Sequence, residues 1–338
     1  MSSKVAEIQQ ATGQDAEAAW VANIWTTFNN QRREKIEEWK ELDSYVFATD
    51  TTTTTNSTLP WKNSTTIPKL CQIRDNLFSN YVSSLFPNDN WVKWQAYSRE
   101  DALKEKAVAI EGYMSNKVRE TKFRTEIEKC IYDYIDKGNA FVTSHFEARY
   151  KETADGTVIP DYVGPRATRI SPLDIVFNPL ASSFDDSFKV VRRIKTLGEL
   201  KKLAATDPDQ RFWAEAIERR ESIQRLAGGY SMEDFDKAVQ YETDGFGNMY
   251  EYYMSDYVEI LEFFGDYHDA ETGTLSTDRI ITIVDRSLTV RNEQIPTWFT
   301  GANIRHVGWR FRPDNLWSMG PLDNLVGLQY RLDHLENL

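Results

Sequence analysis

The sequence predicts an α+β protein: N-terminal helices, then antiparallel β-hairpins with surface helices, then the start of a long helix. Three observations carry this. Apolar residues recur at helical spacing as far as Lys137. The period then changes to the alternation of strands, and Asp155-Gly156 supplies a pair suited to a hairpin turn. After Asp314 a helical spacing of leucines returns and runs to Leu338. Of 338 residues, 41% are hydrophobic and 27% charged, a composition that supports a folded chain of two domains or one elongated one.

Taken in order, Asp15 to Tyr45 reads as one helix. Trp20, Val21, Ile24, Trp25 and Phe28 form its apolar stripe, and a charged stretch follows with Ile36 and Trp39 on one side. The Thr-rich run Thr51 to Pro60 reads as an extended linker. A second helix, Asn63 to Phe86, enters through Pro68 and repeats Leu70, Ile73, Leu77, Tyr81 and Leu85. A third, Ser98 to Glu120, carries Leu103, Ala107, Ile110, Met114 and Val118, with Ser98 and Asp101 as a capping box. A fourth, Arg124 to Lys137, places Ile127, Ile131, Tyr134 and Ile135 together and stops at Gly138.

Phe141 to Tyr150 alternates, with Val142, Phe146, Ala148 and Tyr150 on one face, and the return strand runs to Ile170. Pro172 to Pro179 reads as a short extended segment and Val190 to Lys195 as a strand. Leu197 to Ala205 and Pro208 to Leu226 read as surface helices, and the stretch to Asp256 as loop with a short helix. Tyr257 to Phe264, Arg279 to Val284, Leu288 to Arg291 and His306 to Trp309 read as strands, with a turn over Asp269 to Thr277. In the last helix Gly320 is the expected cap, Pro321 the first helical residue, and Asp323 a favourable charge in the first turn. Pro321, Leu325, Leu328, Leu332 and Leu335 then make a heptad seam for another helix. No stop signal closes it, so the expectation is a chain cut within a partner-facing helix.

The formal net charge of -12 makes the chain a poor non-specific nucleic-acid binder, though it suits a passage through which DNA slides without sticking. Cys71 and Cys130 lie in apolar helical patterns and read as reduced core thiols. No signal region or apolar run of membrane-span length is present in the sequence, and the sequons at Asn56 and Asn63 read as chance matches. His145, His268, His306 and His334 are scattered without ligand spacing. No phosphate-binding glycine loop and no nucleophile elbow occurs. Asp185/Asp186 and Asp234/Asp236 read as solvated acidic loops. Arg192-Arg193, Lys201-Lys202 and Arg219-Arg220 read as ordinary helix surface. Trp91 and Trp94, flanking Lys93, read as core or subunit contacts. No catalytic, cofactor-binding or metal-binding residue is nominated, and no cofactor is expected.

Five stretches, in order, resemble the portal (head-to-tail connector) proteins of tailed bacteriophages, of the short-tailed or crAss-like type. They are Asn63-Ser-Thr-Thr-Ile-Pro-Lys-Leu leading to Leu85-Phe86-Pro87; Tyr134-Ile-Asp-Lys-Gly-Asn-Ala-Phe-Val; Ile170-Ser-Pro-Leu-Asp-Ile-Val-Phe-Asn-Pro; Val191-Arg-Arg-Ile-Lys-Thr-Leu-Gly-Glu-Leu; and Pro313-Asp-Asn-Leu-Trp-Ser-Met-Gly-Pro-Leu. The resemblance covers most of residues 63 to 338, and the first sixty residues contribute little to it.

The resemblance implies a non-enzymatic subunit of a homo-oligomeric ring, typically of twelve copies, at the unique capsid vertex of the virion. Assembly would take place in the host cytoplasm. The implied partners are the terminase large subunit, the major capsid protein, tail adaptor proteins and double-stranded DNA passing through the channel, with no membrane. On the family's map, residues 1–62 are an N-terminal helical arm and linker, 63–314 a wing-like α+β domain, and 315–338 the beginning of a stem helix. The clip, returning helix, tunnel loop and crown would follow residue 338. Leu325, Leu328, Leu332 and Leu335 are the expected subunit and stem contacts. Two other readings stand beside this one. A carboxylate-based hydrolase would draw on the acidic, aromatic-rich composition and would need two carboxylates about 5–10 Å apart in a deep pocket. Another virion structural protein, such as an adaptor, would lack a continuing stem helix.

Overall fold

The computed structural model of the chain describes residues 15–47, 67–88, 93–95, 101–153, 157–206, 212–227, 255–268, 273–295 and 303–336. The Thr-rich linker, both sequons, Trp91, Ser98, the Asp155-Gly156 turn, the loop around Asp234 and Asp236, and part of the Asp269 to Thr277 turn lie outside the described residues. The fold is α+β with antiparallel sheets, as the sequence predicts.

The single helix expected at the N-terminus is two, α1 (Ala16–Gln31) and α2 (Arg33–Phe47). The break falls at Arg32, whose side chain is buried and bonded to backbone 140 residues downstream. Three further helices follow: α3 (Lys69–Leu85), α4 (Asp101–Glu120) and α5 (Phe123–Asp136). Gly138, at φ 68°, takes the left-handed turn that ends α5, a conformation glycine adopts without steric cost.

β1 (Asn139–Glu152) and β2 (Val158–Ile170) form the expected hairpin. A short 3₁₀ turn, Pro172–Asp174, leads into β3 (Ile175–Phe177), and β4 (Lys189–Thr196) pairs with it. The surface helices are α6 (Leu197–Thr206) and α7 (Trp213–Ala227). β5 (Tyr257–His268), β6 (Leu275–Val284) and β7 (Leu288–Gln294) complete a five-stranded sheet of order β3-β4-β5-β6-β7. β8 (Ile304–Gly308) joins the hairpin in the order β2-β1-β8. Two short strands absent from the sequence reading, β9 (Arg310–Arg312) and β10 (Asn315–Met319), pair with each other.

The large sheet is covered on both faces, which explains the continuous burial of Val258 to Leu261 in β5. On one face Val21 and Trp25 of α1 meet Leu261, Phe263, Ile281 and Ile283. On the other, Leu200 of α6 and Trp213 of α7 meet Val258, Ile260 and Val284. A further core joins Leu42, Tyr45 and Val46 of α2 to Leu70, Ile131, Ile135 and Leu322. The helices of the expected N-terminal arm therefore do not stand apart from the rest: their apolar stripes are buried in two of the shared cores.

The face expected to be apolar on β1 points outward. Phe146 is 64% exposed, while Phe141, on the opposite face, is fully buried against Ile170, Ile175 and Phe177. β8 pairs with the base of the hairpin, Asn139–Thr143. Cys130 is buried, and burial pushes its thiol up to about 12. Cys71 is only partly buried, with Sγ 3.8 Å from Asp75, and is not a core thiol. Among the described residues no helix is long and apolar enough to cross a membrane.

Candidate functional site

The last helix starts later than its cap signals indicate. After β10, Gly320 and Pro321 lead through a 3₁₀ turn, Asp323–Leu325, to α8 (Val326–Glu336). Residue 315, where the stem segment was expected to begin, is the first residue of β10. Asp323 lies before the first turn of α8, in the 3₁₀ turn, where its Oδ2 accepts the Gly320 N–H at 2.9 Å. Lys35 of α2 reaches the same oxygen at 3.4 Å.

Four polar side chains fix the root of this helix. Gln329 and Asp333, one helical turn apart, are 3% and 0% exposed. Gln329 Oε1 accepts the Leu70 N–H at 3.3 Å, and its Nε2 donates to the Ile67 carbonyl at 2.6 Å and to Asp333 Oδ1 at 2.9 Å. Asp333 Oδ1 also accepts the Ile67 N–H at 3.0 Å. The physical reason lies in α3. Its N-cap is Pro68, which offers no side-chain acceptor, so the first-turn N–H groups are orphaned. Gln329 supplies the missing cap from another helix.

Asn139 is the third. It is fully buried, with Nδ2 donating to the carbonyls of Lys137 (2.8 Å) and Ser318 (3.0 Å). Its Oδ1 accepts the Ser318 N–H and the His306 Nε2–H, both at 3.0 Å. His306 stacks on Phe141, and burial lowers its imidazole to about 4, so the ring is neutral. Beside Asn139, Gly138 and Gly320 meet backbone to backbone: a Cβ on Gly138 would stand 2.4 Å from the Gly320 nitrogen.

Arg32 is the fourth. Its Nη1 donates to the Pro172 carbonyl at 2.6 Å and the Ile175 carbonyl at 2.7 Å, and Nη2 to the Leu173 carbonyl at 2.5 Å. The remaining donors go to Asn29 Oδ1. The guanidinium lies 5.6 Å from the Trp317 ring. Burial, with Arg192 nearby, lowers it to about 9, which leaves it charged at neutral pH. Trp317 stacks on Phe177 at 4.6 Å, and the Leu316 N–H bonds the Pro179 carbonyl at 2.9 Å.

The five segments singled out in the sequence therefore meet. Ile67 and Leu70 hold α8; Gly138 and Asn139 hold Ser318 and Gly320; Pro172 to Pro179 holds Leu316 and Trp317; and Val191 pairs with Ile175 in the sheet, beside the Arg192–Asp174 ion pair at 2.9 Å.

The predicted leucine seam is divided. Leu325 and Leu332 are half-buried, whereas Leu328 and Leu335 are 60% and 69% exposed. The inward face belongs to Gln329 and Asp333, so the outermost leucines form an i, i+7 row pointing away from the body. Sequence reasoning passed over Gln329 and Asp333. Their i, i+4 spacing between leucines was the available signal, but an isolated polar stripe ordinarily marks solvent.

The remaining nominations serve local structure. Asp185 faces Arg305 at 3.5 Å, both exposed; Asp186 accepts from Ser182 and Ser183. Both line a cleft of ≈ 490 Å³ with Asp266, Asp278 and Lys189. Lys189 is buried, donates to the Asp185 and Ser187 carbonyls, and is lowered to about 8 by that burial. Arg193 pairs with Glu262 and Lys201 with Glu221. Arg220 departs from the expected helix surface: it is buried, with Nη1 3.1 Å from Asp285, and pins α7 to the β6–β7 turn. Trp94 is 43% exposed. Among the described residues no group of His, Cys, Asp and Glu has the arrangement of a metal site.

Compared with known proteins, the chain matches no family model and no curated protein sequence.

Proposed function

We propose that this chain is a portal subunit of a tailed bacteriophage. Copies of it form a ring, of twelve in the usual family arrangement, at the unique vertex of the capsid. The ring is the conduit for DNA packaging and ejection and the docking site for the terminase large subunit and tail adaptors. The subunit carries no catalysis. The observation that supports this best is that Ile67, Leu70, Gly138 and Asn139 of the portal-like segments hold α8 and the strand before it, with Pro172 to Pro179 against Leu316 and Trp317, together with the outward leucines of that helix. A helix held by polar bonds on one side, with two leucines exposed on the other, is suited to meeting a neighbouring helix. Leu328 and Leu335 are the proposed centre of that contact, with Leu325 and Leu332 at its inner margin.

A carboxylate-based hydrolase has less support. In the acidic cleft beside β4, Asp185 faces Arg305, Asp186 accepts two seryl hydroxyls, and Asp266 accepts the Asp278 N–H at 2.9 Å. Negative-stain electron microscopy of the purified full-length protein tests the portal reading. Rings with an open centre are expected; a field of single subunits at all salt and protein concentrations would count against it.

A further inference from the structure

We draw no further inference here: the strongest candidate, the apolar outer face of the β1–β2 hairpin around Phe146, Ala148, Val163 and Pro165, is a surface for which nothing in the structure shows what covers it.

Discussion

Asn139 shows how one side chain can join three chain segments. A buried amide is tolerated only when its donors and acceptors are matched, and here Lys137, His306 and Ser318 match them. Asn139→Ala leaves the Ser318 amide and two carbonyls without partners. We expect a loss of about 2–4 kcal/mol, read from urea unfolding. Gly138 was legible in the sequence as a helix stop, but its second constraint was not. Contact with Gly320 joins residues far apart in sequence, which no local pattern encodes. His306 gives a pH signature. Its folded value, near 4, lies below the ordinary imidazole value of 6.5, so the unfolded chain takes up the proton first. The neutral ring's full stability is present above pH 6.5 and is lost as pH falls towards 4, at about 1.4 kcal/mol per pH unit and about 3 kcal/mol in total. In stability measured against pH, His306→Gln should remove this component of the slope between pH 6.5 and 4 while carboxylate contributions remain.

At the scale of elements, helices and strands with clean periodicity were readable: α5, β2, β4 and α6 lie close to their expected spans, whereas α3 begins at Lys69, six residues after its expected start. Errors arose where tertiary bonds outweigh local preference. Arg32 sits in a good helical sequence, yet three carbonyls of the Pro172–Ile175 turn draw its side chain inward and the helix breaks there. The leucine spacing in α8 did not indicate which leucines stay outside, because the inner face is set by the uncapped start of α3. Gln329→Ala should therefore loosen α8 and the first turn of α3 together. Hydrogen exchange should show faster exchange in residues 67–72 and 326–336, with a stability loss of about 1–2 kcal/mol. Unchanged exchange in α3 would argue that Gln329 is not its cap.

Over the whole molecule, the α+β class followed from the order of periodicities, whereas the sharing of cores did not. The family's map makes residues 1–62 an arm and linker, and the apolar stripes of α1 and α2 cover the large sheet and α5. Arg32 is the polar counterpart of that burial. Lysine retains the charge at this position but cannot supply the fork of donors that serves three carbonyls and Asn29 at once. Arg32→Lys is expected to cost about 2–3 kcal/mol and to lower the thermal midpoint of the whole protein in one cooperative transition. An early separate transition of α1 and α2 would contradict this integration. Assembly is the property of the molecule that the exposed leucines bear on most. Replacing exposed side chains changes subunit stability little, within about 0.5 kcal/mol, so an effect on assembly can be separated from one on folding. The decisive measurement is mass photometry of the full-length protein beside its Leu328→Glu/Leu335→Glu variant. A closed oligomer near twelve subunit masses is expected for the former and a folded single subunit for the latter. A monomeric parent protein, or a variant that assembles as the parent does, would contradict this expectation.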